Sequence, residues 1–278
     1  MQTVEITGLP VGSRAYAPES KREVPGMDHR FYEEYTALKR KILEKQFSRM
    51  NQQQLEAVFQ IKGPLLILAG AGSGKTTVLV NRVSYLVRFG NAYHSRFMPP
   101  QIAEDDMVFL RQAAQGGQVS QERLTALLAD QPPRPWNVLA ITFTNKAANE
   151  LKSRLEDSLG PMAQDITAAT FHSACVRILR REIERLGYSR NFTIYDTDDS
   201  LKVIKEAMKA LHMEEKLFAP KAVLSAIGRA KDVLQGPAEM MRQAGTDYRM
   251  GSIAKVYEKY QAALKSAEGV IRVHIMAG

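Results

Sequence analysis

Lys75 and Thr76 close an eight-residue stretch, Ala69-Gly70-Ala71-Gly72-Ser73-Gly74-Lys75-Thr76, that follows the apolar run Leu65 to Leu68. The stretch fits the phosphate-loop pattern G-x-x-x-x-G-K-[ST], except that Ala69 stands in the first glycine's place. Glycines allow backbone N–H groups to converge on phosphate oxygens. Lys75 is then placed to reach the β- and γ-phosphates, and the Thr76 hydroxyl to hold Mg²⁺. A helix opening near Lys75 adds the positive end of its dipole. The plain alternative is a glycine-rich turn that merely joins strand to helix. Strand, loop, Lys-Thr and helix in that order argue instead for a bound triphosphate.

Other chemistries fall away on inspection. His172 and Cys175 lie one helical turn apart, but a lone cysteine is more often a small hydrophobe than a nucleophile. "TNKAA" approaches the guanine-reading N-K-x-D pattern, yet Ala148 occupies the aspartate's place. "QGGQVS" lacks the Leu-Ser of a transporter-ATPase signature and is expected to be the turn of a helix hairpin. Lys and Arg number 38 against 30 Asp and Glu, for a net charge of +8. Residues 200–278 hold 13 basic and 8 acidic side chains, residues 100–135 hold 3 and 5. The excess permits a polyanionic partner without requiring one. A single cysteine excludes a disulfide framework and a cysteine-rich zinc site, and suggests a reducing compartment. No segment has the layout of a signal peptide and no run reaches transmembrane length, so a soluble, cytoplasmic chain without membrane contact is expected.

The elements that must position the loop can be read from periodicity. Residues 1–27, with Pro10, Pro18 and Pro25, predict a loose arm; Asp28 then caps a helix carrying Phe31, Tyr35, Leu38 and Ile42 on one face. Leu65 to Leu68 predict a buried strand, followed after the loop by a helix to about Arg88. Residues 91–135 read as a helical insertion, with Gly116-Gly117 between two helices and Ser120 as the second cap; "QPPRPW" is a stiff connector. "NVLAITF", residues 137–143, predicts a second buried strand. A helix follows with Ala148, Leu151, Leu155 and Leu159 in line, stopped by Gly160-Pro161. "ITAATF" predicts a third strand, and Val176, Leu179, Ile183 and Leu186 one face of the next helix, stopped at Gly187. Alternating strands and helices argue for an α/β fold with a parallel sheet flanked by helices. Beyond Gly187 the chain turns mostly helical and basic, without further clear strands. The expected organisation is an arm and helix over 1–50, a nucleotide-binding core over 51–90 and 136–187, the insertion over 91–135, and a helical subdomain over 188–278.

Taken in order, "MNQQQLEAV", "AGAGSGKT", "ITFTNKAANELKSRL" and "TFHSACVRILR" resemble the front half of UvrD/Rep/PcrA-type superfamily 1 DNA helicases. A weaker likeness runs on through "GYSRNFTIYDTDDSLKVIKEAMKAL" and "KVYEKYQAAL", so that it covers roughly residues 50–265 without the insertion. The resemblance implies a RecA-like P-loop NTPase core followed by a mostly helical subdomain. It implies ATP with Mg²⁺ as cofactors, single-stranded DNA and DNA duplex junctions as partners, and translocation coupled to unwinding as the activity.

The resemblance also assigns residues. Gln54 matches the family's glutamine motif; its amide offers a donor and an acceptor that fit adenine's N6 and N7, whereas guanine shows two acceptors on that edge. Ala69, Gly70, Ala71, Gly72, Ser73, Gly74, Lys75, Thr76 and Thr77 would surround the nucleotide, Lys75 serving catalysis. Thr77 departs from the pattern, because many relatives carry a nucleotide-contacting arginine there. Phe143 and Phe171, at strand ends, would stack on bases, and Thr142, Asn145, Thr170 and His172 would add backbone and sugar contacts. The family's Asp-Glu pair, which holds Mg²⁺ and orients the attacking water, is not found. Asp196 of "FTIYD" is followed by Thr197, and "EDD" at 104–106 has no strand before it. The expectation is therefore a helicase fragment, inactive alone. A non-motor P-loop kinase or ATPase and a catalytically silent nucleic-acid-binding protein are the alternatives.

Overall fold

Apolar residues at helical spacing organise most of the chain. The computed structural model describes residues 5–7, 29–70 and 72–271. Asp28, Ala71, the rest of the amino-terminal arm and residues 272–278 lie outside the described residues. The described chain divides into two compact units, one of residues up to Ala140 together with Thr144–Ala168, the other of Ile141–Phe143 and the residues from Ala169 onward.

The first unit contains α1 (His29–Gln46), α2 (Gln52–Phe59), α3 (Lys75–Phe89), α4 (Glu104–Gln115), α5 (Gln121–Leu128) and α6 (Asn145–Leu159). Its strands are β1 (Glu5–Thr7) and β2 (Leu66–Leu68), with the first residues of β3 (Leu139–Thr142) and β4 (Thr167–Thr170). α3 is apolar on two faces and is buried on both. Val78, Tyr85 and Phe89 join a core with Tyr35, Leu43, Phe47, Phe59, Met107 and Leu110. Val80, Val83 and Val87 join a second with Val138, Leu151, Leu155 and Leu159. The expected stripe of α6, Ala148 to Leu159, is buried, and Gly160 ends the helix. Arg82 of α3 donates to the carbonyls of Ala57 and Gln60, closing the carboxyl end of α2, where a cation also meets the helix dipole.

α1 and α4 are braced together. Arg111 donates from Nε and Nη2 to the two oxygens of Glu34 at 2.6 and 2.9 Å, and from Nη1 to Glu104 at 2.7 Å. Such a fork matches the carboxylate's planar geometry. Ser120 caps α5 as the sequence predicts, accepting from the Arg123 amide. Lys39 of α1 is fully buried; its ammonium donates to the carbonyls of Ser95 and Phe97 at 2.9 and 3.0 Å and lies 5.1 Å from the centre of the Tyr35 ring.

Several strand expectations need correction. Leu65–Leu68 and 137–143 read as buried strands, yet Leu66 and Leu68 are 43% and 49% exposed, and Leu139 and Ile141 49% and 39%. Neighbouring layers cover only alternate residues, which the run of apolar types conceals. Among the described residues the strands form three hydrogen-bonded pairs. β1 lies antiparallel to β2, with Ile6 opposite Ile67, so residues 5–7 of the expected loose arm are strand. The Thr167 amide donates to the Val138 carbonyl at 3.1 Å, so β3 and β4 start side by side and run parallel.

The second unit holds α7 (Phe171–Glu182), α8 (Thr197–Ala210), α9 (Pro220–Asp232), α10 (Pro237–Ala244) and α11 (Tyr248–Ser266). Ile204, Met208, Val223, Ile227, Tyr257 and Tyr260 form its core. It is mostly helical as expected, but β5 (Thr193–Tyr195) and β6 (Gly269–Ile271) pair in parallel, where no strand was foreseen. Leu186 departs from its predicted stripe and is 58% exposed. The α-helix stops at Glu182 and residues Ile183–Leu186 continue as a 3-10 turn. Three residues per turn instead of 3.6 swing Leu186 off the face.

Burial pushes the Lys39 ammonium down from 10.5 to about 8. Below that pH both folded and unfolded chains carry the charge, and the cost of burying it is fully present. Between about 8 and 10.5 the folded lysine releases its proton first, so the unfolded state holds more protons and stability rises with pH. The gain relative to Lys39→Met should be at most roughly 1.4 kcal/mol per pH unit. Denaturant melts of both proteins at pH 7.5 and 9.5 measure it; a difference that stays flat would contradict the lowered pKa of Lys39.

Candidate nucleotide and nucleic-acid sites

The phosphate loop leaves the carboxyl end of β2 and runs directly into α3, whose first residue is Lys75. Gly72 and Gly74 take φ values of +76° and +85°, the left-handed region that glycine enters without strain. Gly74 is the N-cap of α3 and supplies no side-chain acceptor. The Val78 amide makes the first intrahelical bond, to the Gly74 carbonyl at 2.9 Å, so the amides ahead of it have no helical partner. A helix start without a capping side chain, on a helix buried along two faces, suits an anion.

Within the loop, the Gly70 carbonyl gathers three donors. They are the Ser73 hydroxyl at 2.8 Å, the Ser73 amide at 3.4 Å and the Lys75 ammonium at 2.6 Å. Lys75 also donates to the Ala69 carbonyl at 2.8 Å. Its ammonium is thus held at the loop by two neutral oxygens, which an anionic oxygen would outcompete. Lys75, Thr76 and Thr77 are exposed. The Thr76 hydroxyl is a hard oxygen of the kind Mg²⁺ takes, with the remaining positions left to phosphate oxygens and water. Among the described residues no group of three or more His, Cys, Asp or Glu side chains gathers to hold a metal.

Gln54 sits in the first turn of α2. Its amide oxygen accepts from the Asn51 amide at 3.1 Å and its Nε2 donates to the Ser73 carbonyl at 3.2 Å. The Gln54 backbone amide in turn donates to the Asn51 side chain at 2.9 Å, completing a capping box. Glutamine motif and phosphate loop, separated by the whole of β2, therefore touch. Periodicity carried no signal for Ser73 or Asn51 as partners; only the S/T/D/N-x-x-E/Q spacing of Asn51 and Gln54 could have revealed the cap.

The two acidic runs weighed as substitutes for a catalytic pair have other tasks. Asp196 caps α8 and accepts from the Asp199 amide at 2.9 Å, which holds its carboxyl below the usual carboxylate range. Glu104, Asp105 and Asp106 form the first turn of α4, where acidic groups meet the positive end of the dipole. Asp106 pairs with Arg123 at 2.6 Å.

Of the residues assigned to DNA, Thr142, Phe143, Thr170, Phe171 and His172 fall in the second unit and Asn145 in the first. Thr142 ends β3, and Phe143 beyond it is 99% exposed. Asn145, exposed, is the first residue of α6. Thr170 is buried and caps α7: its hydroxyl accepts from the Ser173 amide at 3.3 Å and bonds the Ser173 hydroxyl at 2.9 Å. Phe171, 38% exposed, and half-buried His172 open that helix. Phe143, unlike a core aromatic, offers its ring to any flat partner.

The family described as "UvrD/REP helicase N-terminal domain" matches residues 50–98 and 118–270. The chain is 42% identical over 217 residues to the ATP-dependent DNA helicase PcrA of Bacillus subtilis (strain 168), covering 78% of this chain and 24% of that protein. It is 40% identical over 223 residues to the ATP-dependent DNA helicase PcrA of Staphylococcus aureus (strain Mu50), covering 80% and 25%. With its Staphylococcus epidermidis namesake it shares 39% over 221 residues, again 80% and 25%. The chain spans about a quarter of the length of these curated relatives. No helix among the described residues is long and apolar enough to cross a membrane.

The exposure of Phe143 has a measurable consequence. Phe143→Ala should change unfolding free energy by less than about 0.5 kcal/mol, against the roughly 3–5 kcal/mol lost when a core phenylalanine is truncated. Urea melts of the two proteins decide; a loss of core size would mean the ring is buried in solution.

Proposed function

The chain belongs to the UvrD/REP helicase N-terminal domain family, a RecA-like P-loop fold of ATP-dependent DNA helicases, and from that we propose that it binds ATP with Mg²⁺ and single-stranded DNA. The observation that carries this is the phosphate loop: left-handed glycines, a helix N-terminus without a capping side chain, and Lys75 at its first position. Lys75, now on two loop carbonyls, would hold the β- and γ-phosphates, and Thr76 would supply a hydroxyl to Mg²⁺. Gln54, whose amide keeps one N–H and one lone pair beyond its present bonds, faces adenine. Bound ATP supplies the phosphoryl-transfer chemistry; the chain's own residues grip and orient it.

Phe143 and Phe171 stack on bases, an interaction that any base satisfies. Thr142, Asn145 and His172 add sugar and phosphate contacts, while Thr170 acts by fixing the start of α7. Residues 51–90 and 136–187 make up the nucleotide-binding core, residues 91–135 an insertion, and residues 188–278 a helical subdomain. In the longer relatives this region works as part of a DNA helicase, and single-stranded DNA, duplex junctions and unwinding are the partners and activity proposed here.

Residues 1–278 alone should bind without turning over. The two acidic runs are engaged at helix starts, and phosphoryl transfer needs a carboxylate for the metal and a group that orients water.

Calorimetry tests the nucleotide assignment. Lys75→Ala should weaken ATP binding by roughly 1.5–3 kcal/mol, the worth of hydrogen bonds to charged groups; unchanged affinity would remove it. Fluorescence anisotropy tests the DNA assignment, where Phe143→Ala and Phe171→Ala should each weaken single-stranded DNA binding by roughly 1–3 kcal/mol irrespective of sequence. A phosphate-release assay with saturating single-stranded DNA should show no turnover above background. Turnover near one per second, lost in Lys75→Ala, would mean that a catalytic carboxylate lies within the chain.

A further inference from the structure

We infer that Gln54 is a positioning residue for the phosphate loop, setting polyphosphate affinity independently of any base. The inference rests on the nucleotide assignment of the loop and adds a second role for a residue otherwise expected to read adenine.

The orientation of the amide is not open to choice. The Asn51 N–H can only donate and the Ser73 carbonyl can only accept, so Oε1 must face the first and Nε2 the second. Ser73 is the hub of the loop's internal bonding, since both its hydroxyl and its amide donate to the Gly70 carbonyl. Holding the Ser73 carbonyl therefore restrains the residue that is bonded twice to the Gly70 carbonyl, one position ahead of the Gly74 cap.

Gly74 supplies an independent observation. A Cβ built there would lie 3.2 Å from Gln54 Nε2, tighter than an ordinary contact, in a residue whose φ of +85° already disfavours side chains. The bare Cα leaves the amide room to approach the loop.

α2 is a firm support for this contact. Its Ala57, Val58 and Phe59 are buried in the core of the first unit, and Arg82 of α3 closes its far end. The loop is thus tied to α3 by the chain and to α2 by Gln54. When Lys75 leaves the Ala69 and Gly70 carbonyls for a phosphate, two of the loop's restraints go with it. The Gln54–Ser73 and Ser73–Gly70 bonds do not involve Lys75 and remain, so the loop amides stay aimed during binding. Preorganised donors of this kind raise affinity by lowering the ordering cost.

The test uses tripolyphosphate, which has no base, beside ATP, with the full chain. Gln54→Met keeps the length of the side chain and loses both bonds. It should weaken tripolyphosphate binding roughly three- to tenfold, the effect of one hydrogen bond, and ATP binding by at least that factor, with the melting temperature checked in parallel. Gln54→Glu retains the acceptor for the Asn51 amide and so keeps the α2 cap if the methionine variant fails to fold. In whichever variant folds, amide hydrogen exchange of residues 74–78 without ligand should be faster than in the wild type, a readout that no charge repulsion with ligand can affect. Unchanged tripolyphosphate affinity and unchanged exchange, with only ATP preference lost, would overturn the positioning role and leave the nucleotide assignment standing. A wild-type chain that binds neither ligand would overturn both.

Discussion

Burial of α3 on two faces is the constraint from which the rest of the structure follows. A helix that is apolar on one stripe can lie on a surface, but one with Val78, Tyr85 and Phe89 on one side and Val80, Val83 and Val87 on another must be enclosed. α1, α2 and α4 enclose it from one direction and α6 from the other. Enclosure fixes where the helix begins, and its beginning is the phosphate loop. Each buried aliphatic side chain contributes about 1.5–3 kcal/mol. The amides at Lys75 are consequently held by the hydrophobic effect, not by the loop itself, whose glycines provide shape and little rigidity of their own.

What the sequence revealed follows the range of the interactions involved. The loop, the α6 stripe, the Ser120 cap and the Gly160 stop depend on residues within a turn or two, and all stand as expected. The strands were located but their burial was misjudged, because an apolar type at Leu66 or Leu139 says nothing about which neighbour covers it. Residues 5–7 offered too few side chains for periodicity to register, and their strand character comes from pairing with β2 some 60 positions away. Leu186 failed for a local reason, a change of helix type that residue identities alone do not announce.

The candidate site was legible to the same degree. Motif spacing singled out Gln54, the loop and Phe143 as candidates, and the exposure of Phe143 distinguishes it from a core aromatic. Spacing could not show that Gln54 reaches Ser73, nor that Thr170 spends its hydroxyl on a helix cap, since both follow from the folded path of the backbone. Asp196 and Asp106 illustrate the converse. Carboxylates that look available in a sequence are taken up by the unsatisfied amides at helix starts.

The brace between α1 and α4 bears on what lies outside the family match. The family match begins at residue 50 and omits 99–117, so both helices lie outside it, one ahead of the shared region and one interrupting it. Yet Glu34 and Arg111 fit as a fork and Tyr35, Leu43, Met107 and Leu110 share one core. Two segments outside the matched region, far apart in the chain, thus share one core and one ion pair. Either alone would display an apolar face to water and a charge without its counterpart, which disfavours keeping one and discarding the other. Transplanting α4 into a relative, or trimming α1 from this chain, would have to treat the pair as one heritable piece.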